Sequence, residues 1–371
     1  LIRVYHTEHA KLKALHPLYT IGFRKLAMTT AYITHPRYNE HRLLGYPHVE
    51  NPKRLESVWE VMQQANLTDK LKPLEPLLAT REMLRAVHTE NHIAHLERLA
   101  QEPRLTMIDQ DTYAMPVSYE IARLSAGGVV RAIQAVMNGE VDNALTATRP
   151  PGHHATPDRS MGFCLLSNIA IGAQYALDHL GLERVLIVDY DVHHGNGTQD
   201  VFYNDDRVLF LSTHQYPFYP MTGTLRETGA NQGLGYTVNI ALPSNVGDKG
   251  YAQVYENIVW KVARRYQPQL ILVSAGFDAH WVDRMGQMRL TLNGYAHLTR
   301  ELMRMADELC RGKIVFVMEG GYDLTALGHG VRNIAHALLR QDMISDPYGE
   351  AGGKDPDIGG VIEQVQKIHA L

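Results

Sequence analysis

The stretch Val185–Gly197, VLIVDYDVHHGNG, decides how the rest of the chain is read. Val185, Leu186, Ile187 and Val188 run directly into Asp189-Tyr190-Asp191-Val192-His193-His194, and glycines follow at 195 and 197. A short apolar run closed by turn-forming residues is the pattern of a buried strand. Alternate side chains of a strand share a face, so Asp189, Asp191 and His193 are expected to point the same way. Two carboxylates and an imidazole buried together need a compensating charge or hydrogen bonds. A divalent ion with oxygen and nitrogen ligands, zinc or a similar first-row metal, supplies that charge. A salt-bridged strand end is the alternative.

Working outward, Ala31–Thr34, Asn143–Thr148, Arg207–Thr213, Tyr236–Leu242, Gln269–Ser274 and Lys313–Met318 read as further strands, seven in all with 185–189. Between them lie helical patterns: one opened by Asn51-Pro52, then Arg81–Leu99, Ser118–Asn138, a helix ending near Leu180-Gly181, Gly250–Arg265, Asn293–Arg311 and one closing at Leu339. Asp109–Tyr113 reads as a polar loop. Continuous apolar strands alternating with helices imply strands covered on both faces. The fold class is therefore α/β, a single-domain three-layer α/β/α sandwich with a mainly parallel sheet. Residues 1–27 read as an N-terminal extension, 28–342 as the catalytic domain and 343–371 as a polar, loosely attached C-terminal tail.

In such sheets ligands bind beyond the C-terminal ends of the strands. Arg149-Pro150-Pro151-Gly152 forces a rigid turn at one such end and delivers His153 and His154 on a loop. Asp189, Asp191, His193, Asp278 and Tyr322 also fall at strand ends. This shared placement, more than any single motif, argues for a site.

Composition narrows the class. The chain has 371 residues, 45% hydrophobic and 20% charged, enough for a large core. A net charge of −4 gives no case for direct nucleic-acid binding or for attachment to a membrane surface. The two cysteines, Cys164 and Cys310, exclude a disulfide framework and fit a reducing, cytoplasmic setting. No apolar run approaches membrane-spanning length. The glycine-rich stretch Gly223–Gly235 lacks the Gly-Lys-Ser/Thr signature of a phosphate-binding loop.

The chemistry these residues permit is metal-assisted amide hydrolysis. Asp191, His193 and Asp278 match the three-ligand plan of catalytic zinc sites, where bound water reaches a pKa of about 7. His153 and His154 are candidates to take a proton from water and return it to a leaving amine. Asp189 and Asn196 could each orient one imidazole. Tyr322 follows two glycines and could donate to a developing oxyanion.

The motifs RPPGHHA (149–155), GFC (162–164), DYDVHHGNGTQ (189–199), SAGFDAH (274–280) and EGGYDL (319–324) together resemble the zinc-dependent histone deacetylase family. The match is nearest its class II-like members and their bacterial relatives, acetylpolyamine amidohydrolases included. The resemblance runs from about Thr30 to Leu339. It implies an arginase/deacetylase-like fold, one catalytic zinc on Asp191, His193 and Asp278, and a histidine pair in which His154 is the general base. Asp189 would pair with His153, and Asn196 would hold His154. Tyr322 would polarise the substrate carbonyl, where some class II members carry histidine. Gly162 and Phe163 would line an acyl-lysine tunnel, with Asp111 and Met285 at its rim and Arg54 in an acetate exit channel. The family also implies a structural potassium or sodium ion near Asp189, Asp191, His193, Ser212 and Thr213. The expected reaction is deacetylation of Nε-acetyl-lysine in proteins or peptides. The alternative is an acetylpolyamine or other small-amide amidohydrolase. Apolar Met285 favours the first, while Asp283 leaves the choice open. Acetylated proteins, peptides or small amines are the expected partners, and a homo-oligomer stays open.

Overall fold

The structure is a computed structural model describing residues 28–371 apart from Leu44 and Tyr46. The extension read at 1–27 lies outside the described residues. The strands are β1 (Thr30–Ile33), β2 (Lys72–Pro73), β3 (Thr106–Met107), β4 (Tyr113–Ala114), β5 (Asn143–Thr146), β6 (Val185–Asp189), β7 (Val208–Gln215), β8 (Thr237–Leu242), β9 (Leu270–Ala275) and β10 (Ile314–Met318). Eight of them form one sheet in the order β2-β1-β5-β10-β9-β6-β7-β8. Every neighbouring pair in it is parallel. The seven strands read from the sequence are all present. The eighth, β2, is two residues ending in proline, which an edge position tolerates and no apolar pattern announces. β3 and β4 pair antiparallel on either side of 109–112, so the stretch read as a loop is largely the turn of a small hairpin.

The helices are α1 (Lys53–Gln64), α2 (Arg81–Arg85), α3 (Glu90–Leu99), α4 (Ser118–Met137), α5 (Asn168–His179), α6 (Asn196–Phe202), α7 (Asp248–Val254), α8 (Trp260–Tyr266), α9 (Leu292–Cys310), α10 (Leu324–Leu338) and α11 (Gly359–His369). Strand alternation divides the core into two layers. Leu270, Leu272, Val315 and Val317 pack with Val129 and Ile133 of α4 and Ile169 of α5. On the opposite face Ile271, Val273 and Phe316 pack with Leu298 and Leu302 of α9 and Leu327 and Val331 of α10. This is the three-layer sandwich that continuous apolar strands require.

Three sequence expectations are corrected. Arg81–Leu99 is two helices, because the Thr89 hydroxyl accepts the His92 N–H and starts a new helix within the run. α7 and α8 are joined through a π-helical turn at Tyr255–Val259. The tail is not loose: α11 lies against β8, and Ile358 and Val365 are each 1% exposed within the core.

A buried ion cluster fixes the Arg149–Gly152 turn to the first turn of α1. Arg149 donates through Nε and Nη2 to the Glu50 carboxylate, and Arg54 Nη1 reaches the same carboxylate at 3.2 Å. All three side chains have no solvent exposure. Burial pushes the Glu50 carboxyl up, but the Arg149 and Arg54 guanidiniums outweigh it and hold it at about 2. Glu50→Ala leaves two buried guanidiniums without their anion and is expected to cost roughly 3–5 kcal/mol in denaturant unfolding at neutral pH. A carboxyl held below its unfolded value stabilises fully above that value and loses its contribution as pH falls toward 2. The gap between wild type and Glu50→Ala should therefore narrow on acidification from pH 6 to pH 3.5.

Candidate active site

β6 ends at Asp189, and the chain turns out of the sheet there. Asp189 Oδ1 accepts the Asp191 N–H at 3.1 Å, and Asp191 Oδ1 accepts the His193 N–H at 2.9 Å. These side-chain turns break the strand alternation. The three residues therefore do not share one strand face, as the sequence pattern suggested. Asp189 turns toward His153, while Asp191 and His193 turn toward Asp278 at the end of β9.

One ligand atom each of Asp191, His193 and Asp278 lies within 4.8 Å of the others, and all three residues are buried. His193 Nδ1 is 3.1 Å from Asp191 Oδ1 and 3.2 Å from Asp278 Oδ2. Asp278 Oδ1 accepts the Val192 N–H at 3.0 Å, whereas its buried Oδ2 makes no hydrogen bond. Burial and the neighbouring Asp191 push the Asp278 carboxyl up to about 7. Two crowded carboxylates, one with an orphaned oxygen, beside an imidazole are a donor set that a divalent cation satisfies. Gly320 permits the crowding: a Cβ there would overlap both Asp278 Oδ2 and Asp191 Oδ2.

The two histidines of the Arg149–Gly152 turn reach the same place, with ring centroids 4.0 Å apart. His153 Nδ1 is 3.1 Å from Asp189 Oδ2, and His154 Nδ1 is 2.8 Å from Asn196 Oδ1 at the start of α6. Burial pulls the His153 ring down, but Asp191 and Asp189 outweigh it and hold it up at about 10. Burial, with His153 and His193 nearby, holds His154 well below the usual histidine range, so it is neutral at pH 7. The two imidazoles thus differ in charge because one faces carboxylates and the other an amide.

Gly162 adopts φ +54°, and a Cβ there would overlap the His154 ring. Phe163 follows at φ 69°, its N–H donating to Thr112 Oγ1 at 3.1 Å. Its ring meets the Tyr322 ring edge-on at 5.8 Å. Asp111 is half-buried, and burial together with Asp109 pushes its carboxyl up. Met285 is half-buried beyond β9. Arg54 donates to the carbonyls of Gly321 and Glu319, and its guanidinium sits 5.0 Å from the Tyr322 ring centroid. Ser212 lies opposite Asp189 in the sheet and contacts His214 Nδ1 at 2.9 Å, while the buried Thr213 Oγ1 has no hydrogen-bond partner.

Three residues escape the sequence reading, and a fourth, Asp283, has a different role from the one read. Phe218 stacks on His193 at 5.5 Å, and Tyr219 meets His154 edge-on at 5.2 Å. The signal was the aromatic and proline density of Tyr216–Pro220 directly after β7. Glu319 is fully buried and accepts the N–H groups of Gly152 and His153 at 2.7 and 3.3 Å. Asp283 Oδ2 accepts the N–H groups of Tyr322 and Asp323 at 2.6 and 2.9 Å, and its Oδ1 accepts that of Met285 at 2.9 Å. Asp283 is therefore not the free rim carboxylate the sequence allowed. It ties the loop after β9 to the loop carrying Tyr322.

The histone deacetylase domain matches residues 48–338. A protein of Archaeoglobus fulgidus named "Probable deacetylase" is 42% identical over 299 residues, covering 80% of this chain and 82% of its own. Histone deacetylase 14, chloroplastic, of Arabidopsis thaliana is 36% identical over 90% of this chain and 84% of its own. Histone deacetylase HDA1 of Saccharomyces cerevisiae is 33% identical over 95% of this chain, which spans only 53% of that longer protein. The solved structure of the HDA15 HD domain superposes with a TM-score of 0.84 at 33% identity, covering 93% of this chain and 95% of that one. A domain match this long, on a fold that brings its motifs to one pocket, places the chain among the class II-like members of the histone deacetylase family, a family of deacetylating hydrolases.

Proposed function

We propose that the chain is a zinc-dependent deacetylase acting on Nε-acetyl-lysine in proteins or peptides, releasing acetate. The carrying observation is the juxtaposition of Asp191, His193 and Asp278 with an unequal histidine pair, with the rings of Phe163, Phe218 and Tyr219 packed against Tyr322, His193 and His154. A zinc ion on Asp191, His193 and Asp278 would polarise the amide carbonyl and acidify a water. The chain's own residues do the rest. His154, neutral and fixed by Asn196, accepts the water proton at Nε2 and later delivers it to the lysine amine. His153, paired with Asp189, keeps positive charge beside the developing anion. Tyr322 donates its phenol hydrogen to the carbonyl oxygen as charge grows there. Arg54 lies behind Tyr322, where acetate would leave.

Aromatic rings packed around the metal-binding triad suit a linear alkyl chain, and apolar Met285 offers no anchor to a second cationic amine. Asp283 offers none either, because its carboxylate is spent on three backbone N–H groups. A potassium or sodium ion near Asp189, Asp191, His193, Ser212 and Thr213 belongs to the same reading, supported by the orphaned Thr213 hydroxyl. A cytoplasmic setting is supported by two buried, unpaired thiols. No helix among the described residues is long and apolar enough to cross a membrane.

Acetate release from an acetyl-lysine peptide and from acetylspermidine should differ at least tenfold in kcat/KM, in favour of the peptide. The reverse order would overturn the substrate and leave the chemistry. Zinc-loaded protein releasing acetate from neither would overturn hydrolysis of these amides.

A further inference from the structure

We propose that residues 343–348, beyond the matched deacetylase domain, form a strap that positions Tyr322 through a contact between Tyr348 and Asp323. The inference rests on the reading of Tyr322 as the carbonyl-polarising residue. After α10 ends, the chain doubles back over the end of the molecule that carries Tyr322. Asn333, 4% exposed on α10, holds the strap by both ends of its amide: Oδ1 accepts the Ser345 N–H at 2.9 Å, and Nδ2 donates to the Ser345 carbonyl at 3.0 Å. Asp346 Oδ2 accepts the side-chain N–H of Asn293 in α9 at 3.1 Å, while its Oδ1 accepts the Gly349 N–H at 2.9 Å and closes a turn. That turn presents Tyr348.

The Tyr348 hydroxyl lies 3.0 and 3.1 Å from the two carboxylate oxygens of Asp323, and its ring packs 5.7 Å from His280 and 6.2 Å from Trp281. Asp323 follows Tyr322 directly and caps α10 by accepting the Ala326 N–H at 2.8 Å. Asp323 is thus held by the helix on one side, by Asp283 through its N–H, and by the strap at its carboxylate. Asp323 is the residue next to Tyr322, so these bonds restrain the backbone that carries Tyr322. A phenol donating to a carboxylate is a charge-assisted bond, stronger than a neutral one. It acts on the backbone one residue from the group whose placement sets the oxyanion contact, where a displacement of about 1 Å can cost roughly hundredfold. Tyr348 is therefore a positioning residue.

Tyr348→Phe keeps the ring and removes the bond. It is expected to lower kcat three- to tenfold with KM unchanged within twofold, and to speed amide hydrogen exchange across 321–324. Asp323→Asn still accepts from Tyr348 and still caps α10 but loses the charge, so its kcat should fall between wild type and Asp323→Ala, whereas Asp323→Ala should match or exceed the Tyr348→Phe loss. Adding Tyr348→Phe to Asp323→Ala should cost nothing further. Wild-type kcat in Tyr348→Phe, whether or not its melting temperature falls, overturns the strap, as does unchanged exchange at 321–324. If Tyr322→Phe itself retains turnover, the reading of Tyr322 fails, and the exchange experiment shows separately whether the strap holds the loop.

Discussion

Asp278→Ala is expected to strip the chain of its metal and its turnover together. Asp278 carries a buried oxygen that no protein hydrogen bond satisfies, and its neighbours are another carboxylate and an imidazole. Without it the remaining pair, Asp191 and His193, lacks both a third donor and a second negative charge. Loss of groups that merely support ligands costs about 10–100-fold in metal affinity, and loss of a ligand should exceed that. Metal content after dialysis, read by elemental analysis, should fall from one equivalent to background. Thermal unfolding provides a second reading. A ligand at a thousand times its Kd stabilises the folded state by about 4 kcal/mol, so a chelator should lower the melting temperature of wild type and leave that of Asp278→Ala unmoved. A variant that keeps one equivalent of metal and measurable turnover would remove Asp278 from the ligand set.

The sequence makes the sheet legible for a physical reason. Parallel strands covered on both faces are continuous apolar runs, so 185–189, 270–275 and 314–318 stand out without any knowledge of their partners. Asp191, His193 and Asp278 stand out because each follows such a run. What stays hidden depends on groups that are neighbours only in space. Asp283 acts on Tyr322 from 39 residues away, and Glu50 acts on Arg149 from 99. Neither carboxylate differs along the chain from a solvated one. The tail is a different case. Ile358, Val361, Ile362 and Val365 recur at helical spacing, a pattern that the reading of a loose polar tail passed over, and α11 packs that face against β8 and its neighbours. The misread face of Asp189, Asp191 and His193 has a more local cause. Alternation holds while a strand lasts, and here the first carboxylate ends the strand by capturing the Asp191 N–H.

Tyr322→Phe tests the chemistry with the least disturbance to the structure. The substitution removes one oxygen atom. What positions the residue survives: the N–H bond to Asp283, the Arg54 guanidinium over the ring and the edge contact with Phe163. Burial, opposed by Arg54, holds the phenol well above its ordinary pKa, so it is a hydrogen donor throughout the neutral range. A donor aimed at a carbonyl oxygen strengthens as negative charge accumulates there, so its removal should fall on kcat and spare KM. Loss of a single such donor costs roughly 10²–10³ in rate, about 2.7–4 kcal/mol. The variant should retain one equivalent of metal and a melting temperature within about 2 °C of wild type, since a substitution that leaves packing intact shifts stability by only about 1 kcal/mol. Bound inhibitors that mimic the substrate ground state should keep their affinity, while mimics of the tetrahedral oxyanion should lose theirs in proportion to kcat. Turnover within tenfold of wild type would mean that another group stabilises the oxyanion, and the hydroxyl of Tyr219, whose ring packs edge-on against His154, would be the next to replace.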